Sequence, residues 1–216
     1  MLLCAVVTPQ AAFASSTVFG NSGLVYIPTD DTTLFNTIDL TLSVKTDDEP
    51  LGYLGFGEHS HIVGFRYGVF PQVEVGAVTF QDITGEQRVV AHGKIVLLPE
   101  LEDSPVSVTA GVWDPFNTHD ASPYLVVGKN FLVKSADAPE SAFELGAYLG
   151  FGGGIYRNQA FGGARVKFGG GFALMADTVA ETFNIGASYE IDRLTLETKL
   201  VDTQEAVFGA TFRFDL

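Results

Sequence analysis

The chain closes on Phe208-Gly209-Ala210-Thr211-Phe212-Arg213-Phe214-Asp215-Leu216. Side chains of an extended strand point alternately to opposite faces. Phe208, Ala210, Phe212, Phe214 and Leu216 therefore share one face, and Gly209, Thr211, Arg213 and Asp215 share the other. A strand that is apolar on one side and charged on the other suits a wall with lipid outside and water inside.

The same alternation runs upstream. Twelve runs carry it, at 37–45, 61–69, 72–80, 88–97, 105–113, 122–131, 142–151, 160–168, 171–177, 182–190, 193–200 and 205–215. Most approach the ~10 residues a tilted strand needs to cross a bilayer, against ~5–6 in soluble sheets. Val63, Phe65, Tyr67 and Val69 would meet lipid while Arg66 turns inward. Phe183, Ile185, Ala187 and Tyr189 oppose Asn184, Ser188 and Glu190. A Lys or Arg on the lipid face would cost about 2–4 kcal/mol at the midplane, and nearly every in-strand charge falls on the other face. The expected inward set is Arg66, Arg88, Lys94, Glu144, Arg165, Lys167, Glu190, Arg193, Glu197, Lys199 and Arg213. Lys129 is counted with it, although it shares a face with Leu125 and Val127.

The fold class is thus all-β: a single antiparallel up-and-down transmembrane β-barrel of about twelve strands, within roughly ten to fourteen. A soluble sandwich would show the same period with its faces inverted. Strand length, the aromatic last strand and a secretory N-terminus favour the barrel. No apolar run approaches the ~20 residues of a spanning helix. The net charge of −14 speaks against nucleic acid as a partner.

Three tight connections, Phe70-Pro71, Gly169-Gly170 and Asp192, would lie on one rim. The segments 46–60, 81–87, 114–121 and 152–159 would lie on the other, longer-looped rim. The connections 98–104 and 132–141 are long for the tight rim. With short turns on the periplasmic side, both termini are expected there.

Residues 1–14 read as a secretory signal. Leu2 to Val7 is apolar, and Ala12-Phe13-Ala14 supplies a small-x-small cleavage pattern before Ser15. No positive n-region precedes Leu2, which is compatible with a start inside a longer signal. Cys4 falls in this segment, so the mature chain would carry no cysteine. Residues 15–36 form a leader, and 37–216 the barrel. Pro28 keeps the leader out of a central strand. Two readings of it stand side by side: a flexible periplasmic segment, or an insert that lines or plugs the lumen.

Four hairpins share a pattern in which an ascending strand ends in Asp: Asp82, Asp114, Asp177 and Asp202. These carboxylates could form a rim that screens ions or binds a divalent cation. Asp also opens turns by bonding its own backbone, which is the simpler reading. The mixed inward charges favour a salt-bridged filling over a selective pore. The acidic runs Asp30-Asp31, Asp47-Asp48-Glu49 and Glu100 with Glu102-Asp103 read as solvated loops. His59, His61, His92 and His119 stand without a nucleophile elbow or metalloprotease signature, so neither catalysis nor a cofactor is expected.

One stretch points to a family. Gly23-Leu24-Val25-Tyr26-Ile27-Pro28-Thr29 resembles the Gly-Leu-x-x-x-Pro-Thr leader of YjbH/GfcD-like outer-membrane β-barrel proteins. The order of later pieces is similar too: Gly93-Lys94, Thr109 to Asp114, Tyr124 to Lys129, Leu174 to Asp177, Asn184-Ile185-Gly186 and a closing Gly-x-x-Phe-x-Phe strand. The likeness spans about residues 20–214. It departs at Asp30, where Ala is expected, and at Leu216, where Phe often ends the chain. The resemblance implies an outer-membrane barrel, in some relatives tied to exopolysaccharide or capsule production, and implies no catalytic residues. The expected role is structural or transport-associated. Its partners would be outer-membrane lipid and polysaccharide or export-machinery proteins. A passive diffusion porin and an outer-membrane enzyme are the alternatives.

Overall fold

The computed structural model describes residues 15–46, 61–82, 84–101, 104–133 and 143–216. The expected signal segment with Cys4, the acidic residues 47–49, His59, Glu102 and Asp103 lie outside them. Twelve strands follow in chain order: β1 (Thr37–Lys45), β2 (His61–Phe70), β3 (Val73–Gln81), β4 (Gln87–Leu98), β5 (Ser107–Trp113) and β6 (Ser122–Val133). The second half holds β7 (Phe143–Gly152), β8 (Gln159–Phe168), β9 (Phe172–Val179), β10 (Thr182–Ile191), β11 (Leu194–Val201) and β12 (Glu205–Asp215).

Each strand pairs with its sequence neighbours, and β12 returns to β1, so the sheet is a closed barrel. The seam is antiparallel and unbroken from Thr37↔Asp215 to Lys45↔Val207. Closure leaves no edge strand with unpaired amides, which a sheet in hydrocarbon requires.

The alternating pattern becomes two surfaces. In β1, Thr37, Asp39, Thr41, Ser43 and Lys45 are buried inside, while Leu40, Leu42 and Val44 stand exposed outside. In β2, Arg66 is fully buried inside, while Val63 and Phe65 stand exposed on the opposite face. Around the barrel the exposed large side chains include Ile95, Leu149, Phe183, Leu196 and Phe212. This apolar belt is the outer surface of a membrane-spanning barrel.

Two expectations need correction. Lys129 points outward with Leu125 and Val127, as its parity dictates. Its charge is met by Glu100, whose carboxylate lies 2.5 Å from Lys129 Nζ, near one rim. Arg193 lies outside β11, in the turn after β10, with its side chain 62% exposed and paired to Asp215 at 2.7 Å.

The wall begins and ends on one rim, where Asn36 Nδ2 donates to the Leu216 carbonyl at 2.6 Å. The connections 71–72, 169–171 and 192–193 share that rim, as do residues 99–101 and 104–106. Asp82 with residues 84–86, and the loops 114–121 and 153–158, lie on the other, the last with a short 3-10 helix at Gly154–Tyr156. That second rim was expected to carry the longer loops, yet it also holds the tight turns 180–181 and 202–204. Ala180 and Glu181 both take positive φ, at 48° and 77°. Two left-handed residues match the twist of a two-residue hairpin, so this turn needs no extra length.

Leu149 sits near the middle of β7 on the outer face. Leu149→Arg is expected to destabilise the barrel in lipid vesicles by about 2–4 kcal/mol, measured by denaturant titration. A loss under ~0.5 kcal/mol would mean that this face does not lie in hydrocarbon.

Candidate functional site: the filled lumen

The lumen is occupied by the chain's own residues 15–35. Irregular backbone at this depth must find hydrogen-bond partners, because unpaired buried amides and carbonyls are costly. Part of the demand is met internally, by antiparallel bridges Ser16↔Ser22 and Gly23↔Pro28. The remainder falls on the inward charges of the wall.

Leu24, Val25, Tyr26 and Ile27 form the apolar tip, each with no exposed surface. They join a cluster with wall residues Val78, Phe80, Trp113, Tyr124, Phe161 and Met175. Phe19 stacks edge-on to Tyr26 at 5.1 Å and lies 5.2 Å from Trp113. The wall thins where the tip approaches. A Cβ on Gly163 would sit 2.6 Å from Leu24 Cδ1, and one on Gly186 would sit 3.0 Å from Val25 Cγ2. The same Cβ on Gly163 would meet the Ala176 carbonyl at 2.7 Å and Asp177 Cβ at 2.8 Å, so glycine there serves the pairing with β9 as well as the tip.

Asp177 holds the tip's backbone. Its carboxylate accepts from Tyr26 N at 2.8 Å, from Ile27 N at 3.4 Å and from Asn184 Nδ2 at 2.8 Å. Glu74 holds the middle, accepting from Ser22 N at 3.1 Å, Ser22 Oγ at 2.6 Å and Thr33 N at 2.9 Å. Lys94 Nζ donates to the Ser22 carbonyl at 2.9 Å, to the Thr29 carbonyl at 3.2 Å and to the Asp31 carbonyl. Arg165 pairs with the Asp31 carboxylate and lies 3.8 Å from Glu144. Lys167 stands 3.6 Å from Asp31.

The strand β11 grips the start of the insert. Ser16 N donates to Glu197 at 2.7 Å, Lys199 donates to the Ser16 carbonyl, and Lys199 and Glu197 pair at 2.8 Å. Arg66 donates to the Ser15 carbonyl at 3.2 Å and pairs with Asp39 at 3.2 Å. Arg213 reaches the same Asp39 at 2.9 Å.

The expected lumen residues thus divide. Arg66, Lys94, Arg165, Glu197 and Lys199 are buried in the interior. Arg213, Lys167, Glu144 and Glu190 lie toward the rim that carries the ends of the wall, only partly covered. Arg88 has inward parity but stands at the opposite rim, its side chain 40% exposed, paired with Asp82 at 2.8 Å and Glu86 at 2.8 Å. Asp39 and Glu74 were missed, and Asp31, expected in a solvated loop, instead has its side chain 11% exposed and pairs with Arg165 and Lys167 because the leader folds into the lumen. Asn184 faces inward as its parity predicts. For Asp39 and Glu74 the signal was present, since each alternates with apolar neighbours in its strand.

The four aspartates do not converge on a cation site. Asp82 accepts from the amides of Thr84 and Glu86 at 2.8 and 3.0 Å. Asp114 accepts from the amides of Thr118 and Asp120 at 2.9 and 2.8 Å, and from Thr118 Oγ1 at 2.7 Å. Asp177 is committed to the insert. Asp202 is exposed with φ 50°, and its amide donates to Asn184 Oδ1 at 2.9 Å. Asp82 and Asp114 thus serve their own loops, Asp177 serves the insert, and Asp202 contributes its backbone amide. Among the described residues, no group of three or more His, Cys, Asp or Glu side chains is placed to hold a metal ion. His61 is exposed, His92 is buried beside the insert, and His119 packs edge-on to Trp113 at 6.1 Å.

The rim aspartates titrate low. Hydrogen bonds from Thr84 and Arg88 hold Asp82 well below the usual carboxylate range. Partial burial alone would raise Asp114, but the His119 amide and the Thr118 hydroxyl and amide outweigh it and bring it down.

No family model matches the chain, and no curated protein matches it. Among solved structures it is similar to a mutant of the Rh. blastica porin, at 12% identity and a TM-score of 0.33, over 81% of this chain and 73% of that one. So slight a likeness carries no argument, and the architecture rests on the strand pairing itself.

Two predictions follow from these contacts. Asp177→Leu removes the acceptor of two tip amides, each bond to a charged group being worth about 1.5–3 kcal/mol. Hydrogen exchange at Tyr26 and Ile27 should accelerate at least ~tenfold; unchanged exchange would show that Asp177 does not hold the tip. The second concerns pH. Because Asp82 and Asp114 are lowered on folding, their support is complete above the ordinary value of ~3.9 and is lost only as pH falls through the depressed values. The Thr84 and Thr118 amide resonances should therefore keep their native shifts at about pH 4.

Proposed function

We propose that this chain is a bacterial outer-membrane barrel without catalysis, a transport-associated component held shut by residues 15–35. The observation that carries the reading is the tip Leu24–Ile27, wholly buried inside the barrel with its backbone bonded to Asp177. A constitutive diffusion pore needs a continuous aqueous path. Here the interior of the wall is engaged by the insert from Ser16 at Glu197 to Thr33 at Glu74. Passage of a solute would require the insert to move.

The membrane assignment is supported by the closed sheet and the outward apolar belt. Both ends of the wall share one rim, and the insert leaves the lumen there through Phe35, bridged to Gly68. We assign that rim to the periplasm. The exopolysaccharide link rests on the resemblance of the Gly23–Thr29 leader and is an analogy at the level of fold. Its partners on this reading are polysaccharide or export-machinery proteins.

Conductance in a planar bilayer tests the closed state. The wild-type barrel should show no steady ohmic current, and a variant lacking residues 16–33, which fill the lumen, should pass one. A steady current from the wild-type protein would overturn the reading in favour of a diffusion porin. For the export role, deletion of the gene should lower secreted polysaccharide, and unchanged secretion would remove that part.

A further inference from the structure

Charged side chains on several strands grip the insert, but the wall beside β5 is of another kind. Thr109, Gly111 and Trp113 of β5 face inward, and on β4 His92 stands opposite Trp113. His92, Thr109 and Trp113 are 4%, 1% and 1% exposed. Their polar side-chain atoms are His92 Nδ1 and Nε2, Thr109 Oγ1 and Trp113 Nε1. None of these has a hydrogen-bond partner among the described residues.

The surroundings do not supply one. The rings of Phe19 and His119 stand 5.2 and 6.1 Å from that of Trp113. His92 lies over Gly76 of β3 and toward Gly20 of the insert, where Cβ atoms would come 2.5 and 3.9 Å from Nε2. Glycine at both places brings no side chain to the imidazole. The charged groups that act on it are Glu74, Arg66 and Lys94. All three are bonded to the insert, at Ser22, Ser15 and Ser22.

These atoms lie along one strand. Gly111 separates Thr109 from Trp113, and across the β5–β6 ladder Tyr124 faces it with its hydroxyl over the place a Cβ would take. That hydroxyl accepts a long bond from Asn21 Nδ2 of the insert, at 3.4 Å. Residues two apart on a strand are about 7 Å apart. Each step from Thr109 to Tyr124 to Trp113 is therefore two to three hydrogen bonds of about 2.8 Å.

The chemistry of the atoms selects what joins them. The Trp113 indole only donates, a neutral imidazole has one donor and one acceptor, and the Thr109 hydroxyl does both. A cation finds no ligand in an indole N–H, and an anion cannot serve the imidazole acceptor. Water gives and accepts, and buried polar atoms are nearly always paired with protein or ordered water.

We propose that a file of bound water runs between the insert and β5, held by Thr109, the Tyr124 hydroxyl, Trp113 and His92. The insert is then fastened directly to Asp177 on β9 and Glu197 on β11, and through water along β5. The inference rests on the seated insert of the reading above.

Trp113 is the only tryptophan of the chain, so its indole reports on this site alone. The test uses the full-length, nitrogen-15-labelled protein in lipid nanodiscs. The indole N–H should show magnetisation transfer from water, while acrylamide quenches its fluorescence at least ~tenfold less than that of free indole. His92→Phe should reduce the transfer at least ~threefold and shift the emission to the blue. Thr211→Val removes a hydroxyl already paired with Thr41 at 2.9 Å and should change neither signal. A protected indole without transfer from water, a readout that needs no variant to fold, would overturn the proposal. So would transfer that is the same in the wild type and His92→Phe. An indole quenched as freely as free indole would overturn the seated insert itself, and this site with it; the extent of quenching tells the two failures apart.

Discussion

The structure depends on one requirement: an irregular stretch of backbone placed inside a closed barrel must have its amides and carbonyls paired by the wall. Water cannot reach the seated tip, and an unpaired buried group costs about 1–3 kcal/mol. The wall answers with ionised side chains aimed at main-chain atoms. Asp177 and Glu74 receive amides, while Lys94, Lys199 and Arg66 donate to carbonyls. Charge-assisted bonds are shorter and stronger than neutral ones, so few residues suffice to fix a segment with little regular structure.

This use of charge explains why the lumen is mixed in sign. Backbone has both donors and acceptors, and a wall of a single sign could satisfy only half of them. The surplus charge is balanced within the wall. Asp39 bridges Arg66 and Arg213, Glu197 pairs with Lys199, and Arg165 lies between Asp31 and Glu144. Removing one member of such a set leaves a buried charge uncompensated, which typically costs about 3–5 kcal/mol. The arrangement therefore favours one seating of the insert over sliding or partial withdrawal.

The outer face obeys a simpler rule. Its side chains need only be apolar, and shape hardly matters against fluid lipid. Phe, Leu, Val and Ile alternate there without pattern beyond the period of two. The exception marks the boundary: Lys129 has outward parity but sits near a rim, where Glu100 neutralises it. The inner face is the opposite case. There the identity of single residues decides the fit, as at Gly163, where a Cβ would strike both Leu24 of the insert and the Ala176 carbonyl of β9.

The sequence by itself determined the wall. The period of two, the sorting of charge to one face and the run lengths set twelve antiparallel strands, each bounded within two residues of where it lies. Those features are local, because each strand carries its own record of which solvent touches each side. The turn at 180–181 escaped the rule of long loops because two left-handed residues close a hairpin without length. What only the tertiary structure decided is the interior. Whether residues 15–35 hang free or fill the lumen depends on partners more than a hundred positions away, such as Asp177 for Tyr26 and Glu197 for Ser16. A carboxylate in an alternating strand looks the same in sequence whether it caps a turn, pairs a cation or holds a backbone amide. The meeting of wall and insert in three dimensions distinguishes them, since hydrogen bonds are read by distance and not by position in the chain.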